Sequence, residues 1–484
     1  MNMHMPFSFR VMVAIVTLCL FILPATGVAS MTIQEEREMG DKLALEIQQK
    51  VDMIRDPLIK GYVDEVGKRL VVAAQDGRFH YHFYVVKEQE PNAFAIPGGH
   101  IFVTSGLIRL VDNEDELAGV IGHEIAHGVL RHIDKAMDRA KRLSLATLAA
   151  VIAGAFLTKD PRAAATLTTG AMAMAQALML KYTRENEVEA DQKGITYLTE
   201  AGYDTNGMAS FLKKIYRWQR FTSPEIPVYL STHPGVDERI AYLSDTFAAT
   251  RQSHSSPPLI SGDLKKVQIQ IFLKERGGAE GITYFSSLLR ERPGDVNDLY
   301  GLGSSFVLLE RPREAVPALS EALKSSVNDG YILRELGIAY FQAKEIDKSI
   351  PILQDALRFF PHDTTILYYL AQGNQERGSW DDAISFYQRV LALDAGQVEL
   401  YHNLGVVYDK KGLLGQSHEN FGLYFKEKGQ WETALFHFKK ALEYTQDWRK
   451  KRELERLLKE CGGKEKGDKI SYIPHSSLTP YFYR

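Results

Sequence analysis

The residues best suited to chemistry in this chain are His123-Glu124-Ile125-Ala126-His127. Positions i and i+4 of a helix share a face, so both imidazoles can bind one metal ion while Glu124 flanks the open coordination position. Two imidazoles and a carboxylate suit zinc, and a fourth position left to water brings the pKa of that water towards about 7. Glu124 would then take the proton. The third protein ligand must come from elsewhere, because Leu130 and Ile133 stand where a three-histidine site would need glycine and histidine. His132 is close by, but five residues of helix turn it about 140° from the metal face. It is expected at the helix end, facing water. The remaining candidates are Glu185, Glu187, Glu189 and Asp191. Glu187 and Asp191 share a helix face, which would let one bind metal and the other orient a ligand histidine. Spacing alone does not choose between these acids, or between them and a solvated acidic face.

The elements that must hold these residues are legible around them. Asn113, followed by Glu114, Asp115 and Glu116, has the signature of a helix start, with a capping side chain and acids at the positive end of the dipole. The spacing predicts a helix from there through His132. Upstream, residues 32–74 have helical apolar spacing, with Pro57 suited to the first turn of a second helix. His80 to Val86 alternates as a half-buried strand does, and Ala93 to Val103 reads as a hairpin turned by Gly98 and Gly99. A small sheet therefore precedes the chemistry, and its edge near Ile101 to Thr104 is expected to hold an extended peptide by main-chain hydrogen bonds. Two uncharged stretches follow, Leu143 to Thr158 and Ala163 to Leu180. The second is mostly Ala, Thr and Met, too weakly apolar to insert well, so the pair reads as Ala-rich helices, buried or touching a membrane. A charged helix over about 182–201 and further helical sequence to Phe247 complete this part.

Residues 248–261 are rich in Ser, Thr and Pro and read as a linker. Beyond them Gly303, Gly337, Ala371 and Gly405 stand 34 residues apart, and so do Ala315, Ser349, Ala383 and Ser417. Small residues at two fixed phases let paired helices approach closely, and this period is that of tetratricopeptide repeats. Gly422, Gly429, Ala434 and Ala441 fit a last unit shifted by half a repeat, as if one helix were shared. About five to six units are expected over 262–460, with a polar tail over 461–484.

At 484 residues, 45% hydrophobic and 25% charged, the chain has the composition of a globular protein of two or three domains. A net charge of −3 supplies no basic field for a polyanion, which argues against nucleic acid as a partner. Arg10 precedes thirteen uncharged, mostly apolar residues, Val11 to Leu23, and small residues lead to Ala29 and Ser30. This is the pattern of a cleaved signal peptide over 1–30, since so short a segment does not span a hydrocarbon core of about 30 Å. Export follows. Of the two cysteines, Cys19 and Cys461, the mature chain would keep one, so no internal disulfide is expected.

Taken together, His123-Glu124-Ile125-Ala126-His127, Glu187-Val188-Glu189-Ala190-Asp191 and Asn92-Ala93-Phe94-Ala95-Ile96-Pro97-Gly98-Gly99 resemble the HtpX and CAAX-prenyl-protease family of zinc metallopeptidases. The match covers roughly residues 35 to 245, within a catalytic region of 31–247. It implies a mainly α fold: a gluzincin-type metallopeptidase domain with a small β-sheet, here followed by an α-solenoid of repeats. It also implies Glu187 as third zinc ligand and Asp191 as the carboxylate behind a ligand histidine. Ser231-Thr232-His233-Pro234 resembles the family's late His-Pro segment, which implies that His233 stabilises a developing oxyanion or covers the metal. Arg239 is expected as a structural ion-pair partner. With an export signal and repeats added, the architecture resembles a bacterial periplasmic branch of the family. That implies unfolded or misassembled polypeptides as substrates, among them outer-membrane β-barrel proteins, and their assembly machinery as partner. Two departures from that branch, the absence of a cysteine pair in the repeats and the out-of-register last repeats, bear on partners and not on chemistry. The rival readings are a periplasmic chaperone or scaffold with a closed or vestigial metal site, and a protease anchored by the two apolar stretches.

Overall fold

A computed structural model describes residues 31–132, 182–222, 228–249, 263–394 and 396–465. The signal segment, the Ala-rich pair, most of the linker and the end of the tail lie outside the described residues. The chain divides into two compact units, Met1–Ile54 with Val63–Pro258, and Arg55–Tyr62 with Leu259–Arg484.

In the first unit, α1 (Ile33–Lys50) starts at a capping box in which Thr32 and Glu35 satisfy each other's backbone amides. Strand β1 (Met53–Ile54) leads to α2 (Pro57–Ala74), which Pro57 opens and which belongs to this unit from Val63 onward. Strands β2 (His82–Val86), β3 (Ala93–Ile96) and β4 (His100–Thr104) complete a sheet in the order β1-β2-β4-β3. β3 and β4 form the expected hairpin, antiparallel with Ala95 opposite Ile101. Gly98 and Gly99 turn it at φ of 82° and 88°. α1 lies against this turn so closely that a Cβ on Gly40 would fall 2.0 Å from the Pro97 carbonyl oxygen.

One expectation fails here. β2 runs parallel to β4 along its whole length, from His82 opposite His100 to Val86 opposite Thr104. Residues 101–104 are therefore central, and the free edge of the hairpin is β3. Local alternation identifies a hairpin but not the strand that covers its second side.

A short helix α3 (Ser105–Leu110) connects to α4 (Glu114–Val129), capped by the Asn113 side chain on the Glu116 amide at 2.9 Å. α4 is buried without interruption from Glu116 to His127, as a helix at the centre of a domain must be. α5 (Arg184–Ala201) and α6 (Asn206–Thr222) pack against it, and after α7 (Val228–Thr232) helix α8 (Val236–Ala249) packs on α6. Gly119 makes room for α6, where a Cβ would lie 2.9 Å from the Met208 backbone. Among the described residues no helix is long and apolar enough to cross a membrane.

The second unit is a run of antiparallel helix pairs: α9 (Leu264–Arg276) and α10 (Gly278–Glu291), α11 (Val296–Leu308) and α12 (Pro312–Ser325), α13 (Gly330–Gln342) and α14 (Ile346–Phe359), α15 (Thr364–Arg377) and α16 (Trp380–Leu393), α17 (Glu399–Lys410) and α18 (Leu414–Glu427), α19 (Trp431–Tyr444) and α20 (Trp448–Glu465). The phased small residues sit where the helices of a pair touch: a Cβ would fall 2.4 Å from Leu319 at Gly303, 2.6 Å from Leu353 at Gly337 and 2.8 Å from Phe421 at Gly405. The same contact recurs half a repeat later, where a Cβ on Gly422 would meet Phe438 at 2.5 Å. α18 thus serves as second helix to α17 and as first helix to α19, which is the shared helix that the broken register implied. The last helix also runs further than expected. Leu454, Leu457 and Cys461 fall on one face and are buried against Phe438 and Ala441, which carries α20 past residue 461 to Glu465.

Candidate metal centre

Four buried side chains from three parts of the first unit converge. His123, His127, Glu187 and His233 each offer one donor atom, and the four atoms lie within 4.8 Å of one another. α4 supplies both of its histidines one turn apart, with Nε2 atoms 3.0 Å from each other. α5 supplies Glu187, whose carboxylate oxygens stand 3.3 Å from His123 Nε2 and 3.4 Å from His127 Nε2. His233 follows α7 and brings Nδ1 within 3.3 Å of His123 Nε2 and 3.2 Å of Glu187.

The layer behind these atoms is charged and equally dry. Asp191, one turn after Glu187, lies 2.9 Å from His123 Nδ1. Arg239 on α8, 2% exposed, donates from Nε and Nη2 to Asp191 at 2.7 and 2.6 Å and from Nη1 to Glu187 at 2.5 Å. The Tyr242 hydroxyl donates to Asp191 at 2.5 Å. Of the four acids left open by spacing, Glu187 and Asp191 are thus buried at the cluster. Glu189 is turned to His132, and Glu185 is exposed on the first turn of α5. Two flat faces close the site: Tyr182 stacks on His127 with ring centres 3.7 Å apart, and Tyr229 stacks on His233 at 4.6 Å. No spacing rule pointed to either tyrosine, since their role is set only by how α5 and α7 approach α4.

Glu124 is fully buried next to this cluster. The Ala95 amide of edge strand β3 donates to its Oε2 at 3.1 Å. Its Oε1 and His233 Nε2 face each other at 3.5 Å, and neither makes a hydrogen bond. Burial pushes the Glu124 carboxyl up from its ordinary range, against the opposing pull of the His233 and His123 charges.

His132 departs from expectation. α4 ends at Val129, Leu130 caps it, and Arg131 takes a left-handed φ of 52°. The chain therefore leaves helical geometry before the 140° rotation applies, and His132 folds back, buried, with Nδ1 3.0 Å from His127 Nδ1.

The donor set fits a divalent cation. With Asp191 taking the proton of His123 at Nδ1, its Nε2 lone pair points at that of His127, an arrangement that repels unless a positive charge lies between them. In the metal-free chain a proton supplies that charge. Burial and Arg239 both disfavour the His123 cation, yet Glu187 and Asp191 outweigh them and hold its pKa up at about 9. His127 goes the other way: burial and the His123 charge push it well below its ordinary value. Glu187 resists burial through His233, Arg239 and His123, and stays ionised far below the usual carboxylate range. Two imidazoles and a carboxylate, with a third imidazole adjacent, are the nitrogen and oxygen ligands of zinc.

Comparison with known proteins agrees with this chemistry. Residues 57–247 match the model of peptidase family M48, and residues 300–364 and 335–398 match a tetratricopeptide repeat model. A beta-barrel assembly-enhancing protease of Yersinia pestis is 28% identical over 426 residues, 80% of this chain and 87% of the relative. A putative beta-barrel assembly-enhancing protease of Vibrio cholerae is 36% identical over 233 residues, 48% of this chain and 46% of its own. A mitochondrial metalloendopeptidase of Schizosaccharomyces pombe is 30% identical over 189 residues, covering 38% and 52%. The last two alignments span about half the length of those relatives. The chain therefore carries the zinc metalloendopeptidase domain of family M48 at residues 57–247, with tetratricopeptide repeats behind it.

Proposed function

We propose that this chain is a periplasmic endopeptidase that cleaves unfolded or misassembled outer-membrane proteins during their assembly, with the repeats binding those clients or the assembly machinery. The observation that carries the reading is the buried Glu124 oxygen without a hydrogen-bond partner beside the convergent donors of His123, His127 and Glu187. The client class follows the names of the bacterial relatives, and the compartment follows the signal-peptide pattern of residues 1–30.

His123, His127 and Glu187 would hold the zinc ion, and Asp191 would fix the ring of His123. When bound, zinc acts as a Lewis acid on the scissile carbonyl and lowers the pKa of the attacking water. Glu124 Oε1 takes the proton of that water and returns it to the leaving amine. Oε2 is held by the Ala95 amide, so Oε1 is aimed without further reorganisation. A carboxyl raised by burial is better matched to proton transfer near neutral pH than an ordinary one. The substrate would lie along β3. Asn92 bonds through its carbonyl to the Thr104 amide, so by antiparallel alternation the amide and carbonyl of Ala93 and the carbonyl of Ala95 turn away from β4, the Ala95 amide being taken by Glu124. A strand adding there gains main-chain hydrogen bonds and is read by shape more than by sequence. His233 would stabilise the developing oxyanion.

A second reading has its own observation. His233 Nδ1 stands within ligand reach of the same point, which makes a closed, four-donor site. Such a chain would act mainly as a chaperone or scaffold until His233 withdraws. His233→Ala separates the roles: it raises peptide turnover if His233 shuts the site and lowers it if His233 stabilises the oxyanion. The first experiment compares zinc content and casein cleavage of the mature chain with those of Glu124→Gln. One zinc per chain and cleavage lost in the variant support the peptidase; zinc-free protein, or equal cleavage in both, overturns it.

A further inference from the structure

The zinc chemistry above makes no use of His132, yet the fold goes to some length to bury its ring. Arg131 is held at φ 52°, a left-handed backbone that disfavours a residue with a side chain. Its guanidinium meets that strain with strong contacts: Nε and Nη2 lie 2.9 and 2.8 Å from Glu36 Oε2, and Nη2 donates to the Met31 carbonyl at 2.6 Å. Glu36 is 3% exposed, so the pair is screened little. The turn this creates returns the His132 amide to the His127 carbonyl at 3.1 Å and lays its ring beside that of His127.

The hydrogen bonds around that ring have one consistent assignment. Glu189 Oε2 lies 3.1 Å from His132 Nε2 and, as a carboxylate, only accepts, so the His132 proton belongs on Nε2. Nδ1 of His132 is then an acceptor, and the group it faces at 3.0 Å, His127 Nδ1, is the donor. That leaves the Nε2 lone pair of His127 directed at the convergent donors. His123 has the same arrangement with one fewer link, its Nδ1 resting directly on Asp191. A partner on the distal nitrogen of a ligand histidine sets both tautomer and ring orientation.

We propose that His132 is a positioning residue for the metal centre: it accepts the Nδ1 proton of His127 and so presents Nε2 to zinc, and the Arg131–Glu36 pair builds the turn that delivers it. This rests on the reading of His127 as a zinc ligand. The test measures zinc affinity of the full chain by competition with a chromogenic chelator, alongside the metal-free melting temperature, for the parent, His132→Asn, His132→Gln and His132→Ala. Asparagine carries its carbonyl oxygen where Nδ1 stood and can still accept from His127. Glutamine reaches towards Glu189 instead. Zinc binding is expected to weaken 10- to 100-fold in the Ala and Gln variants and to stay close to the parent in the Asn variant. Equal affinity in all four, or equal loss in Asn and Gln, overturns the proposal, and the Asn–Gln comparison decides even if the Ala variant fails to fold. His127→Ala separates this from the underlying reading: a parent without zinc, or a His127→Ala variant that binds it as the parent does, removes His127 from the ligand set.

Discussion

Replacing Arg239 by methionine isolates the charge that keeps Glu187 and Asp191 ionised. The side chain is buried and makes three charge-assisted hydrogen bonds of 2.5 to 2.7 Å to the two carboxylates. Methionine fills similar volume and supplies none of them. Removing one partner of a buried ion pair costs about 3–5 kcal/mol, because the remaining charge is left uncompensated. Here the lower half of that range applies, since Asp191 keeps the Tyr242 hydroxyl and His123, and Glu187 keeps the histidines. In a unit of this size each kcal/mol moves the melting temperature by about 2–4 °C, so metal-free Arg239→Met should melt roughly 6–16 °C lower. Zinc neutralises part of the stranded charge and binds only the folded site, so adding it should recover part of the loss. Lysine keeps the charge without the planar fork and should fall between the two. The assay is thermal unfolding of the full chain with and without zinc, in which the transition that moves with zinc reports the catalytic unit. If metal-free Arg239→Met melts with the parent and binds zinc equally well, the claim that Arg239 holds these carboxylates is wrong.

Two further perturbations test the frame around the site and the repeats. Gly422→Val forces side-chain atoms against Phe438, where even a Cβ would lie 2.5 Å from the ring, and should cost about 1–3 kcal/mol in urea unfolding of the repeat unit. Gly429→Ala meets no neighbour but keeps a φ of 70°, so its cost should be near 1 kcal/mol, and a larger effect there than at Gly422 would contradict the shared-helix packing. His100, 3% exposed between Tyr84 and Asp41, is lowered from 6.5 to about 4, first by burial and then by the His82 charge, against Asp41. Its folded pKa lies below its unfolded one, so this stabilisation is complete above about 6.5 and is lost as the pH falls towards 4, about 3 kcal/mol in all. His100→Phe should flatten melting temperature against pH over that window, and an unchanged slope in the variant would refute the assignment.

The parts of the site that sequence reasoning reaches are those set within one element. His123 and His127 share a face because a helix has a fixed pitch, and Glu187 and Asp191 do so for the same reason. The choice of Glu187 over its neighbours needed family resemblance, because it depends on how α5 meets α4 and not on α5 itself. The hairpin of Ala93 to Val103 was legible in its glycines and the strand at His82–Val86 in its alternation, whereas the parallel pairing of that strand with β4 was not. Parallel pairing joins segments whose separation leaves no local signature, so the free edge was assigned to the wrong strand. His132 shows the same limit at smaller scale. Its rotation was worked out for a helix that ends three residues earlier, and the residue that ends it is an arginine, not the glycine that marks most left-handed turns.

The repeats reverse this relation between local and distant information. Each pair of helices buries small residues against its own partner and its neighbours, so nearly every contact lies within one or two periods of sequence. That is why the half-period shift at Gly422 could be read before the structure, and why its consequence is purely local. Gly405 accepts Phe421 from α18, and Gly422 on α18 itself accepts Phe438 from α19, so one helix carries both a small-residue notch and the ring that fills the preceding one. A helix with both faces committed in this way cannot slide without opening two contacts at once. The shifted unit is therefore packed through the same glycine-against-ring contact as the unit before it, so the break in register is a change of partner and not a loss of packing.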